Sequence, residues 1–365
     1  MQPSPVVVAD TPTVTVTMLG TSGSGKSTFM LGMYAILAGG VRGYFAHASH
    51  DDHMQLMDQW DLLYDDGRLP PPTPERTRNY RFNFMQGIEP LLGIDWMDYR
   101  GGALSDRATS SDTAELITRM AASDCVYLVL DGTVVAEWVR GMVDAAIAAR
   151  SLPELGRLRR KLRVEDMTSM LLRSINERAN EGKPPPALVV VITKMDTLTT
   201  VSKLPQHETM GLVRDYLPDL LPAAHAEGVS ALLQPVQLGH FGTERTEVVD
   251  KDSVAPRDLE KPFIFTFLEF LTNRIADESQ FLDAVTKRHA EGDLELAAVK
   301  RRFGAQFFQR QRLDQLNNQQ QQLVKEAERT RAALLQMQNR AERLQADLRD
   351  AWIIRSGRLP SRPGW

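Results

Sequence analysis

The chain has 365 residues, 42% apolar and 25% charged, with a formal net charge of −4. That length allows one large domain with an accessory unit, or two small domains; the composition is ordinary for a globular protein, and the acidic balance argues against wholesale nucleic-acid binding. The single cysteine, Cys125, excludes an intrachain disulfide framework and makes a reducing, cytoplasmic compartment the default.

Apolar runs such as residues 187–192 are too short to cross a bilayer. Residues 1–10 carry no basic residue and no small-residue cleavage site, so they do not read as a secretory signal. The charge is uneven. Glu278 to Trp365 holds 16 Lys and Arg against 11 Asp and Glu, which leaves the preceding residues strongly acidic and permits an acidic partner.

Residues 1–12 are Pro-rich and are expected to be disordered. Residues 13–19 alternate β-branched and other side chains and predict a strand. A glycine-rich turn follows, then apolar residues at helical spacing over 28–38, stopped by Gly39 and Gly40. Residues 44–48 fit a short strand, 51–66 a helix and 67–77 a Pro-rich loop. Strands are expected over 80–85 and 91–97, a loop over 98–111, and a helix over 113–122. Cys125 to Leu130 is a strong strand. Residues 134–182 are helical and Arg-rich, with Arg157, Arg159, Arg160, Lys161 and Arg163 forming a basic cluster that reads as a solvated face or as a surface for an acidic partner. The most apolar strand spans 187–192; a helix over 211–221, a strand over 231–238 and an amphipathic helix over 263–275 follow. Strands alternating with helices predict an α/β fold with a largely parallel sheet.

Gly20-Thr21-Ser22-Gly23-Ser24-Gly25-Lys26-Ser27 fits G-x-x-x-x-G-K-[ST]. Its glycines let several backbone N–H groups converge on one anion, and the helix beginning near Thr28 adds its positive end. Lys26 reaches the β- and γ-phosphates, and the Ser27 hydroxyl is a Mg²⁺ ligand. Asp98-Tyr99-Arg100-Gly101 is a D-x-x-G at the end of a strand, where a second Mg²⁺ group is needed; Asp98 supplies it, and the Gly101 N–H faces the γ-phosphate. Thr193-Lys194-Met195-Asp196 is a T-K-x-D directly after the apolar strand. The Asp196 carboxylate there can accept from N1–H and the exocyclic amine of guanine, while the stem of Lys194 covers the base.

These three motifs, in this order and each after a strand, resemble the Ras-like and translation-factor class of P-loop GTPases over roughly residues 13–276. The size and helical additions are similar to bacterial double-GTPase-type G domains. The resemblance implies a six-stranded, mostly parallel sheet, GTP or GDP with Mg²⁺ as ligands, and slow GTP hydrolysis in a nucleotide-dependent switch. It also implies a switch threonine on Mg²⁺, for which Thr73 and Thr77 are both candidates, and a guanine-contacting loop at residues 236–240 around Leu238, which lacks the usual Ser-Ala. Many members carry a glutamine after the D-x-x-G to orient water; here that residue is Gly102, so hydrolysis is slow or another group does the work, Arg100 and Arg107 being the nearby cations. A non-hydrolysing GTP-binding scaffold and a P-loop ATPase are the alternatives.

The expected organisation is therefore a disordered segment 1–12, a G domain 13–276 with a helical insertion at about 134–183, a helical region 277–353 and a flexible basic tail 354–365. Leu313, Leu316, Gln320, Leu323, Ala327, Thr330, Leu334, Met337, Ala341, Leu344, Leu348 and Ala351 repeat at spacings of three and four, an a/d seam over almost six heptads. Such a seam pairs as a coiled coil, with a second copy or a partner helix, or folds back onto the chain's own domain. Trp352, Ile353 and Ile354 make a small apolar end.

Overall fold

The computed structural model describes residues 12–70, 78–99, 110–148, 154–242, 248–301 and 308–355. The chain divides into two compact units, Met1–Thr266 with Arg349–Trp365, and Phe267–Leu348.

The first unit is an α/β structure on an eight-stranded sheet. Its strands are β1 (Thr13–Gly20), β2 (Tyr44–Ala48), β3 (Arg78–Gln86), β4 (Glu89–Asp98), β5 (Cys125–Leu130), β6 (Ala187–Ile192), β7 (Ser230–Pro235) and β10 (Trp352–Arg355), in the order β10-β7-β6-β5-β1-β4-β3-β2. Strands β4, β1, β5, β6 and β7 are parallel to their neighbours among themselves. Strands β5 and β6 are buried at every position, which is why CVYLVL and ALVVVI read as unbroken apolar runs rather than alternations. By contrast β3 buries only Tyr80, Phe82 and Phe84, one residue in two, because it has one covered face.

The sheet is wider than the six strands implied by the resemblance. Antiparallel β2 extends one edge and antiparallel β10 the other. Strand β10 occupies residues expected at the join of a helical region and a flexible tail. Trp352, Ile353 and Ile354 are aromatic or β-branched, and they take up the open edge of β7, where Ile354 is fully buried. Arg214 stacks over the Trp352 ring at 5.8 Å.

Helices cover the sheet: α1 (Lys26–Gly39), α2 (His50–Asp66), α3 (Ser110–Ala122), α4 (Gly132–Ile147), α5 (Leu155–Lys161), α6 (Val164–Asn180), α7 (Met195–Ser202) and α8 (Gln206–Leu220). Helix α2 starts because the Ser49 hydroxyl accepts from the Asp52 N–H, and stops at Gly67 in the left-handed region. The Arg-rich insertion is α4 to α6. Its basic cluster is matched locally: Arg159 meets Glu165, Lys161 meets Glu137 and Arg163 meets Asp166. Arg178 is turned inward instead, donating to the carbonyls of Ala121, Ser123 and Pro184 and so fastening α6 to the entry of β5.

A two-stranded ribbon, β8 (Gln237–Gly239) with β9 (Val254–Arg257), leads into α9 (Lys261–Arg301). The first turns of α9 are seated on the sheet by a polar knot, in which the buried Tyr127 hydroxyl donates to the Pro262 carbonyl and sits 2.7 Å from Thr266 Oγ1. Lys261 is 4% exposed and bonds both Asp258 and Asp350, at 2.8 and 2.7 Å. Burial alone lowers its ammonium pKa, but the two carboxylates more than offset this and carry it above the ordinary lysine value.

The second unit is a helical hairpin. Helix α9 runs unbroken past the boundary expected at residue 276, and α10 (Phe308–Asp347) returns beside it, with Gly292 directly against the Gln320 side chain. The least exposed row of α10, including Leu323, Thr330, Leu334, Leu344 and Leu348, is the predicted seam. Within this unit the row lies on the same compact body as the preceding helix, whose Gly292 meets the seam residue Gln320 and whose Val285 is 1% exposed. A helix immediately upstream, joined by a short connection, is the partner with the lowest ordering cost.

Leu334→Glu with Leu344→Glu places two carboxylates at buried positions of this row, and if the row is covered within the chain the effect is on folding alone. Each site should cost about 3 kcal/mol or more. The expected result is loss of helical circular dichroism and faster proteolysis of residues 267–348, with no change in the mass measured by light scattering. Dissociation of a dimer with helicity retained would show that the seam works between chains.

Candidate functional site

The motifs converge at the C-terminal edge of the parallel strands, where open α/β sheets bind ligands. Strand β1 ends at Gly20 and α1 begins at Lys26, so the phosphate-loop residues Thr21, Ser22, Gly23, Ser24 and Gly25 form the turn between them. Gly25 has φ of 85°, a left-handed conformation that glycine adopts without steric cost, and its successors Lys26, Ser27 and Thr28 form the first turn of the helix. Backbone N–H groups at such a helix start face an incoming anion.

Lys26 is 5% exposed, and its ammonium donates to the carbonyls of Gly20 at 2.9 Å and Thr21 at 3.0 Å. Burial lowers its pKa below the usual lysine value, while the nearby Asp98 carboxylate acts in the opposite sense. Asp98 ends β4 in register with Met18 of β1 and is 1% exposed. Ser27 Oγ donates to Asp98 Oδ2 at 3.1 Å, although 71 positions separate the two residues. A hydroxyl and a carboxylate side by side are hard oxygen donors of the kind Mg²⁺ takes when phosphate and water complete its shell.

Thr193 and Lys194 follow the end of β6 and bond the glycine-rich turn, while Asp196 lies in the first turn of α7. The Thr193 hydroxyl bonds the Ser24 carbonyl at 2.6 Å and the Leu130 carbonyl at 3.2 Å. Lys194 is held at φ of 53°, and its ammonium reaches the Gly23 carbonyl at 3.1 Å. A left-handed, non-glycine residue at such a point is a strained conformation that the surrounding bonds maintain. Asp196 Oδ2 accepts from the backbone N–H groups of Phe241 at 3.0 Å and Gly242 at 3.1 Å.

Two features escape the motif reading. Asp131, at the end of β5, is 7% exposed, caps α4 through the Thr133 N–H at 2.9 Å and pairs with the Lys194 ammonium at 2.8 Å. The following Gly132 lies so close to the Thr193 carbonyl that no Cβ fits between them. Asp131-Gly132 directly after a buried strand was the available signal. The second feature is the loop after β8. Leu238, expected near the base, is 9% exposed and packs against Gly32 of α1 and Leu259 as part of the core. Phe241 and Gly242, a few residues on, are the ones that reach Asp196. Thr73, Thr77, Arg100, Gly101, Gly102 and Arg107 lie outside the described residues.

Among the described residues no helix is long and apolar enough to cross a membrane. No protein-family model matches the chain, and no curated protein matches it. Among solved structures, one provisionally designated nucleolar GTP-binding protein 1 from Plasmodium falciparum aligns over 76% of this chain and 98% of that one, at 9% identity and a TM-score of 0.32. A likeness that loose leaves the functional reading to rest on the residues of this chain.

Proposed function

We propose that this chain binds a guanine nucleotide with Mg²⁺ and hydrolyses GTP slowly to GDP and phosphate, as a nucleotide-dependent switch. The observation that carries the reading is the tie between two distant motifs: Thr193 and Lys194 bond the carbonyls of Ser24 and Gly23 within the phosphate loop. That contact supports reading Asp196, two residues beyond Lys194, as the carboxylate that recognises the base.

The roles follow from chemistry. The N–H groups of Gly23 to Thr28 bind the phosphates, and the Lys26 ammonium exchanges its two carbonyl partners for β- and γ-phosphate oxygens. Ser27, and Asp98 through water, would hold Mg²⁺, which would supply neutralisation of charge on the phosphates. Asp131 orients the Lys194 ammonium, leaving the lysine stem to cover the base. Thr77 or Thr73 would complete the metal shell, the Gly101 N–H would meet the γ-phosphate, and Arg100 would offset charge as the bond to the leaving group lengthens.

Gly102 has no side chain with which to hold the attacking water, so intrinsic turnover should fall well below about one per minute. Binding of labelled GTP with Mg²⁺, followed by phosphate release over hours, tests both halves. Absence of GTP binding would sink the reading, whereas rapid steady-state release would transfer the water to another residue, with Arg100→Ala as the first variant to make.

A further inference from the structure

Helix α2, between β2 and β3, buries only Leu56 and Leu63, which lie seven residues apart on one face. Met54, Met57, Trp60 and Tyr64, at spacings of three, three and four, form a second strip beside that face. Met54 is 48% exposed and Tyr64 55%, while Met57 and Trp60 are partly buried. The Trp60 and Tyr64 rings lie 5.9 Å apart. Next to this strip run Asp58, Asp61 and Asp65, with Asp66 at the helix end, all of them exposed. The helix contains no lysine or arginine, and among the described residues none of these four carboxylates has an ion-pair partner. The arrangement works against the free helix. Asp61 and Asp65 are like charges one turn apart, as are Asp58 and Asp61. Carboxylates in the last turns also face the negative end of the helix dipole. The basic cluster around α5 is the contrast, because Arg159, Lys161 and Arg163 each find an acid close by.

We infer that α2 is a docking surface for a basic amphipathic helix of a partner protein. The apolar side chains of that helix lie on Met54, Met57, Trp60 and Tyr64, and its lysines or arginines flank the row of Asp58, Asp61 and Asp65. Methionines adapt to apolar groups of several shapes, and aromatic rings add contact area with few torsions to fix. Recognition of this kind reads its partner as apolar anchors at helical spacing. The complementary charge sets orientation and partner choice, and relieves the repulsion that α2 carries alone. The inference does not depend on the nucleotide reading.

The probe is a fluorescent leucine–lysine peptide of about 18 residues, with its leucines on one helical face, titrated into the full chain at about 0.15 M salt. A scrambled peptide of the same composition and a leucine–glutamate peptide are the controls. Only the first peptide is expected to bind, with a Kd on the order of 10 μM. Asp58→Asn with Asp61→Asn and Asp65→Asn should weaken it at least about tenfold, and so should Met54→Ser with Tyr64→Ser. The asparagine variant should also melt higher than wild type, because like-charge repulsion is relieved. Equal binding of the scrambled peptide, equal affinity in wild type and both variants, or no binding up to about 1 mM would each overturn the inference. An asparagine variant that melts lower would show that the carboxylates serve the fold, with the same result. A concentration-dependent dimer abolished by Met54→Ser with Tyr64→Ser would give the face to a second copy of this chain and overturn the foreign helix.

Discussion

Lys26→Ala is expected to weaken GTP binding by at least about 100-fold while the protein stays folded. The ammonium is nearly buried, already stripped of most of its water, and held by the Gly20 and Thr21 carbonyls at the mouth of the turn. An interaction with phosphate there would be a charge-assisted hydrogen bond in a poorly hydrated place, and about 2.7 kcal/mol corresponds to that loss of affinity. Lys26→Met keeps the apolar stem and should lose as much, which separates charge from packing. Titration calorimetry with GTP and Mg²⁺, beside a circular-dichroism melt, measures both effects. Affinity unchanged in a folded variant would remove Lys26, and with it the phosphate-loop assignment.

The second large effect concerns the base. Wild-type protein should prefer GTP to ATP by at least about 100-fold, because adenine offers the Asp196 carboxylate no donor at N1 and presents a bare acceptor there instead. In Asp196→Asn the amide oxygen can keep the Phe241 and Gly242 N–H groups, so the loop stays in place, while the amide nitrogen turns a donor toward the base. GTP affinity should fall by about 100-fold or more and xanthosine triphosphate should gain. A variant that still prefers GTP would show that Asp196 serves only to hold the loop.

The phosphate loop, Asp98 and the T-K-x-D are readable from sequence because each is a short run of fixed chemistry placed after an apolar strand. Their mutual contacts follow from parallel strands ending on one side. Asp131 is less legible. One aspartate after a strand looks like any helix cap until Lys194, 63 positions on, is brought against it. The loop after β8 is harder still, since its contacts to Asp196 are backbone N–H groups, which every residue but proline carries. The side chain of Leu238 packs beside the helical Gly32, a placement that its position after the last central strand does not reveal. For the tail, the spacing of Leu334 and Leu344 defines which face is buried, while nothing in a heptad says whether the opposite helix belongs to the same chain. Strand β10 is too short for a periodic signal, and only the free edge of β7 makes it a strand.

That last strand also has a consequence for how the protein is made. During synthesis β7 emerges early, with one row of backbone groups unpaired, and its partner is not yet present until the entire hairpin has left the ribosome. An unpaired edge of this kind recruits other chains. The Lys261–Asp350 pair, 2.7 Å apart and two residues before β10, ties the incoming segment to the start of α9. A nascent chain halted before Arg349 holds a complete glycine-rich turn and an unsealed sheet at once, an arrangement exposed to misassembly.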